Sequence, residues 1–139
     1  MTVAMDADAL NGFLAERFPQ VRGYRVVQVG SAGVTLHLAV EDRHLRPGGT
    51  VSGPTMFELA DLAAYAAILS RIGPVALAVT TGANIDFMRK PAAGQDMTAQ
   101  CRLLKLGRVL AVADALIFSE GVEEPVARAA LTYSIPPKS

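Results

Sequence analysis

The stretch GPTMFELADLAAYAAIL, residues 53–69, constrains this chain more than any other. Gly53 and Pro54 mark a helix start, because proline in the first turn gives up an N–H that has no partner there anyway. Ser52 or Gly53 can cap it. The helix is expected over 54–71, with Gly73-Pro74 to stop it. It has no polar face, so it must be covered on every side. It does not read as a membrane span. LAAYAAIL, the apolar run after Asp61, is far short of the roughly 18–20 residues a span needs. A curved antiparallel sheet wrapped around one long helix would supply the cover. Within that helix stand two carboxylates, Glu58 and Asp61, three residues apart. Burying an unpaired carboxylate is costly, so the acids call for a reason.

The flanking sequence supplies a sheet. Leu10, Phe13, Leu14 and Phe18 recur at helical spacing and predict a short entry helix over 6–18, capped by Asp6 or Asp8 and ended by Pro19. In YRVVQVGSAGVTLHLAV, Val34, Leu36, Leu38 and Val40 alternate with Thr35, His37 and Ala39, a strand pattern after a turn at Ser31, Ala32 and Gly33. His37 falls on the polar face and reads as a solvated surface histidine. DRHLRPGGTVSGP is a loop. Beyond the helix, ALAVTTGANIDFM, MTAQCRLLKL, RVLAVADALIF and EPVARAALTYSI read as strands that join as an antiparallel meander. The chain is expected to be one α+β domain over 1–139. The last strands are apolar on both faces, so a partner subunit is expected on one of them.

Composition narrows the function. Thirteen basic residues balance thirteen acidic ones, so nothing calls for nucleic acid or an anionic membrane. One cysteine, Cys101, excludes an internal disulfide and a cysteine metal cluster. It suits a reducing cytosol and reads as an ordinary strand residue rather than a nucleophile. The start, MTVAMDADAL, lacks the basic and apolar regions of a signal peptide, so a cytoplasmic location is expected. His37 and His44 show no cluster of ligand spacing, so no metal is expected. RPGGTVSG lacks the Lys-Ser/Thr ending of a phosphate loop.

HLRPGGTVSGPTMFELAD, NIDFMRKPAAG, GRVL and ALTYSI follow one another in the chain. Together they resemble the hotdog-fold acyl-CoA thioesterases of the phenylacetate-degradation type, over roughly residues 24–136. That family carries a pattern like H-x-N-x-x-G-x-x-H-G-G and then a helix with L-A-D. The resemblance implies a hotdog fold, a homodimer or homotetramer, and thioester hydrolysis at the dimer interface. It implies an acyl-CoA substrate, with coenzyme A entering only as part of it and no other cofactor. Asp61 falls at the family's catalytic carboxylate, and Gly53 at the backbone N–H that holds the thioester oxygen. Arg46 stands where the family has its loop Asn, Ser52 where it has the first His of H-G-G, and Pro54 where it has the second Gly. Arg89, Lys90 and Arg108 are the cations the resemblance offers to coenzyme A phosphates.

Thioester hydrolysis needs a donor for the oxygen that gains charge and a base or nucleophile near the carbonyl carbon. The Gly53 N–H at a helix N-terminus offers the first. Asp61 offers the second, as general base on water or as nucleophile; the alternative is a buried acid satisfied by an arginine or by backbone donors. Asp61 lies eight residues past Gly53, about 12 Å along a helix axis. One thioester is therefore expected to meet Asp61 of one chain and Gly53 of another, across a dimer two-fold. Tyr65, one turn beyond Asp61, is a candidate for positioning substrate or water, or a packed tyrosine with its hydroxyl satisfied. Glu58 follows His44 by fourteen residues, a spacing similar to that of the 3-hydroxyacyl thioester dehydratases of the same fold. A His44–Glu58 pair would serve dehydration or hydration; otherwise Glu58 pairs with Arg46 or another base. A binding protein for acyl-CoA that does not cleave it is the third reading. The acyl group is expected to be small and aromatic or of medium chain length, from Met56, Phe57, Tyr65 and Leu69.

Overall fold

In the computed structural model, which describes residues 2–137, a six-stranded antiparallel sheet curls around one helix. The entry helix α1 spans Ala7–Arg17, with the Asp6 carboxylate accepting the Ala9 N–H at its start. Strands β1 (Tyr24–Val29) and β2 (Gly33–Leu38) form a hairpin, and α2 spans Gly53–Ile72. Then come β3 (Val79–Phe87), β4 (Met97–Leu106), β5 (Leu110–Ser119) and β6 (Ala127–Ser134). No described helix is long and apolar enough to cross a membrane.

The expected wrapping of α2 is what the fold delivers. Every residue from Leu62 to Arg71 is buried, with Ala63, Ala64, Ala66, Ala67, Ile68, Leu69 and Ser70 fully enclosed. The alanines let strands approach closely, while Leu59, Ile68 and Leu69 fill the core; each would cost about 2–5 kcal/mol if truncated to alanine. The inward rows of the sheet match this surface. Ala111, Ala113, Ala115 and Ile117 of β5 are buried, as are Val34, Leu36 and Leu38 of β2. Ser52 caps α2 by accepting the Thr55 N–H, so Pro54 stands second in the helix rather than first. Gly73 ends it at φ +90°, a conformation that favours glycine. Gly33 is required for a different reason. A Cβ there would lie 1.8 Å from the Cys101 carbonyl oxygen of β4.

The meander expectation is corrected at one strand. The sheet order is β1-β2-β4-β5-β6-β3. After α2 the chain enters β3 at the far edge, beside β6, and crosses to β4 in the middle. Local alternation encodes which face a strand buries, not which neighbour it takes. The two edges differ. The Asn11 side chain on α1 donates to the Val26 carbonyl and accepts the Val26 N–H, so it stands in for a strand along β1. Among the described residues the outer edge of β3 has no such cover. Along and beside it Leu77, Val79, Phe87 and Met88 are exposed.

Candidate active site

Asp61 sits in the middle of α2, half-buried, where the helix passes under β3 and β6. Two hydroxyls converge on its Oδ1. Thr80 at the start of β3 donates at 2.5 Å and Tyr133 near the end of β6 donates at 2.8 Å. The Tyr133 hydroxyl also lies 3.0 Å from the Asp61 carbonyl oxygen. No arginine or lysine pairs with Asp61 among the described residues. Oδ2 has no hydrogen-bond partner among them either, so one carboxylate oxygen is anchored and the other is open to a water. Burial, and then the Asp61 charge, push the Tyr133 phenol well above its ordinary value and keep it a donor.

A cavity of about 630 Å³ opens at this point. Phe18 and Val21 from the segment after α1, Leu62 and Tyr65 from α2, and Thr80 and Tyr133 line it together with Asp61. The Phe18 and Tyr65 rings meet edge to face at 6.0 Å between centroids. The Tyr65 hydroxyl donates to the Ala76 carbonyl at 2.9 Å, so its ring forms the wall while its polar end is satisfied. Burial raises its pKa. Arg17 and Gln20 add polar groups to the same wall.

Gly53 begins α2, half-buried, and its N–H has no hydrogen-bond partner among the described residues. The Phe87 ring lies over it; a Cβ on Gly53 would meet Phe87 Cζ at 3.3 Å. Gly53 and Asp61 are thus separated along α2 and do not meet within one chain, as the helix geometry requires.

The other expected residues divide. Glu58 lines the cavity, but the Tyr24 hydroxyl donates to its Oε1 at 2.6 Å, so its partner is Tyr24 rather than Arg46. Arg46 is exposed in the loop, where its backbone shapes the turn to Thr50. The Ser52 hydroxyl is engaged with Thr55 as the helix cap. His44 is not an open loop residue. It is buried in a 3-10 turn, Asp42–His44, where its Nδ1 accepts the Glu41 N–H at 2.9 Å. That bond leaves the proton on Nε2, which is enclosed without a partner. Burial, then the Arg43 charge, lower its pKa. Within one chain His44 and Glu58 form no hydrogen bond with each other; each has a different partner, Glu41 and Tyr24.

His37 is half-buried and paired with Asp96 at 3.3 Å rather than freely solvated. With Glu120 they bring three ligand atoms within 4.8 Å, a spacing a divalent ion could bridge; the other Asp96 oxygen is occupied by the Val40 N–H. Cys101 is buried in β4 and its thiol is pushed up to about 12, mainly by burial, which leaves it a structural residue. Arg89 donates to the Pro125 carbonyl at 2.7 Å. Lys90 and Arg108 are exposed, Lys90 just past β3 and Arg108 in the β4–β5 turn.

Sequence reading passed over Thr80 and Tyr133 as site residues. Tyr133 lay within the quoted ALTYSI, but nothing local says that a tyrosine late in the chain will reach a helix carboxylate 72 positions earlier.

The model of the Thioesterase superfamily matches residues 48–126, which contain both Gly53 and Asp61. A "putative esterase" of Pseudomonas aeruginosa is 33% identical over 71% of this chain and 72% of its own length. A crystal structure of a "putative thioesterase" from Silicibacter sp. TM1040 superposes with a TM-score of 0.92 at 56% identity, over 99% of this chain and 96% of that one. A variant of the phenylacetic acid degradation protein PaaI from Thermus thermophilus superposes with a TM-score of 0.72 at 26% identity, over 87% of this chain and 100% of that one.

Proposed function

The chain belongs to the thioesterase superfamily and is a hotdog-fold thioester hydrolase, and from that premise we propose that it cleaves a small aromatic or medium-chain acyl-CoA in a site shared by two subunits. The observation that carries this reading is Asp61. Its carboxylate is held by Thr80 and Tyr133 at the wall of an apolar cavity, with one oxygen unspent. A water beside Oδ2 loses its proton to the carboxylate as it attacks the thioester carbonyl carbon. The oxygen of that carbonyl gains the charge and rests on a backbone N–H at a helix N-terminus. Collapse expels the coenzyme A thiolate, which takes up a proton, and leaves the free acid.

The donor comes from a second copy. Thr80, at one end of β3, touches Asp61, and Phe87, at the other end, touches Gly53. A two-fold axis between Ala83 and Asn84 would pair two β3 strands antiparallel along their uncovered edges. Thr80 then lies opposite the partner subunit's Phe87, and Asp61 faces the partner subunit's Gly53. The exposed Val79 and Phe87 become buried in the same step. The cavity walls of Phe18, Leu62 and Tyr65 take the acyl group, and their aromatic rings favour a flat or short one. Arg89 and Lys90 lie two and three residues past Phe87, so they flank the Gly53 end of the site and are the cations proposed for the coenzyme A phosphates.

Co-expression of Asp61→Asn chains with Gly53→Pro chains tests the shared site. Proline removes the N–H yet suits the first helical position. Each homodimer lacks a group at both sites, while a mixed dimer keeps one intact site. Random mixing should restore about a quarter of wild-type thiol release, since half the dimers are mixed and each has half its sites intact. No recovery above the two single variants would refute the interface.

A further inference from the structure

A second cavity lies at the opposite end of α2. Arg71, in its last turn, is 8% exposed. Its Nη2 donates to the Gly30 carbonyl, but Nε and Nη1 are enclosed with no hydrogen-bond partner. The ion pairs among the described residues are His37–Asp96, Arg43–Glu41, Arg102–Asp114 and Arg128–Asp86, so none of their carboxylates pairs with Arg71. A buried guanidinium keeps its charge at every physiological pH and is retained at a cost unless something anionic meets it. The negative end of α2 offsets part of that charge, but carbonyl dipoles leave the two nitrogens unpaired.

Arg71 also forms part of the wall of a cavity of about 870 Å³. Ile72, Val109, Ile135, Pro136 and Pro137 make the rest mostly apolar, and Arg108 stands exposed at its rim. The β4–β5 turn and the segment after β6 hold this shape, through the Gly107 N–H to the Leu110 carbonyl and the Ile135 N–H to the Val109 carbonyl. An apolar hollow with one buried and one exposed cation selects one ligand chemistry: a single anionic head on a short apolar tail.

We propose that this cavity binds a free carboxylate with an apolar tail. The head pairs with Arg71, which turns from the wall toward the cavity and exchanges enclosed N–H groups for carboxylate oxygens, while Arg108 closes the mouth. The tail lies on Ile135, Val109 and the prolines. The site is distinct from the Asp61 cavity. The two share no lining residue, and Arg71 lies ten residues beyond Asp61, about 15 Å along α2. It does not depend on the acyl-CoA reading.

The test is a titration of the ¹⁵N-labelled full chain with octanoate, followed residue by residue by NMR, with octanamide as the neutral control. Saturable shifts are expected at the Gly107, Arg108, Val109 and Ile135 amides. Octanamide should leave those amides unmoved. Arg71→Met should weaken octanoate binding about tenfold or more, the effect of losing a charge-assisted pair. Arg71→Lys, which keeps the charge without the planar fork, should fall between and serves if the methionine variant does not fold. Absence of saturable shifts at these amides, shifts confined to Thr80 and Tyr133, or equal response to octanamide would overturn the proposal.

Discussion

Replacing Asp61 by asparagine isolates proton transfer from architecture. Asparagine has the shape of the carboxylate, and its carbonyl oxygen can accept the Thr80 and Tyr133 hydroxyls that now meet Oδ1 at 2.5 and 2.8 Å. Its amide nitrogen then stands at Oδ2, where it cannot take a proton from water. The folded state exchanges charged for neutral hydrogen bonds but no longer desolvates a carboxylate, so stability should change by no more than about 1–2 kcal/mol. Loss of a general base costs about 10²- to 10⁴-fold, or about 2.7–5.5 kcal/mol of barrier. The assay is thiol release from a panel of aryl- and acyl-CoA thioesters. Cys101 contributes little background, because its thiol is buried and pushed up to about 12. We expect kcat to fall by that factor with KM nearly unchanged, since the acyl pocket is untouched. A folded Asp61→Asn enzyme that keeps more than about a tenth of its kcat would refute a base or nucleophile at this position. Single turnover in ¹⁸O water tests the nucleophile: label left in the Asp61 carboxylate marks water attack on an Asp61 mixed anhydride.

Other outcomes follow from the same contacts. Tyr133→Phe removes one of the two hydroxyls on Oδ1 and should lower kcat about tenfold and stability by about 1.5–3 kcal/mol, read by thiol release and chemical denaturation. Glu58→Gln should keep most of the activity and lose about 1 kcal/mol of stability, because its partner is the Tyr24 hydroxyl; loss of turnover comparable to that of Asp61→Asn would return Glu58 to the chemistry. Arg71→Met, in the absence of ligand, should be neutral or stabilising by up to about 2 kcal/mol in a thermal melt, since it removes a buried unpaired charge. His44 has a folded-state pKa below its usual value near 6.5. The unfolded chain therefore binds the proton first as pH falls, so the contribution of His44 is full above that value and declines toward the folded pKa. His44→Gln should flatten the loss of melting temperature between neutral and mildly acidic pH.

Much of this architecture was written in one helix. A run from Leu62 to Leu69 with no polar side chain but Tyr65 has no face to show to water, and that alone requires cover on all sides. Period-two alternation in β2 showed which residues turn inward, and burial followed it; β5, apolar on both faces, left that choice to the tertiary structure. The acid inside the helix, eight positions from a glycine at its start, pointed to a site before any contact was known. These features are legible because they depend on rise and periodicity, which neighbouring residues fix among themselves.

Strand order is not of that kind. Nothing in VTTGANIDF says that β3 will pair with β6 rather than with β4. Yet that choice brings Thr80 and Tyr133, from distant parts of the chain, to the same carboxylate oxygen, and leaves β3 as the open edge. The partner of Glu58 was misread for the same reason: Tyr24 reaches it only after the first hairpin folds over α2. The enclosed guanidinium of Arg71 is likewise invisible in sequence, where an arginine at a helix end reads as a solvated charge. Local sequence specified that one helix would be buried and would carry an acid. Long-range strand pairing decided what holds that acid and which edge and cavities remain open, because such contacts depend on the closure of the whole sheet rather than on any residue's neighbours.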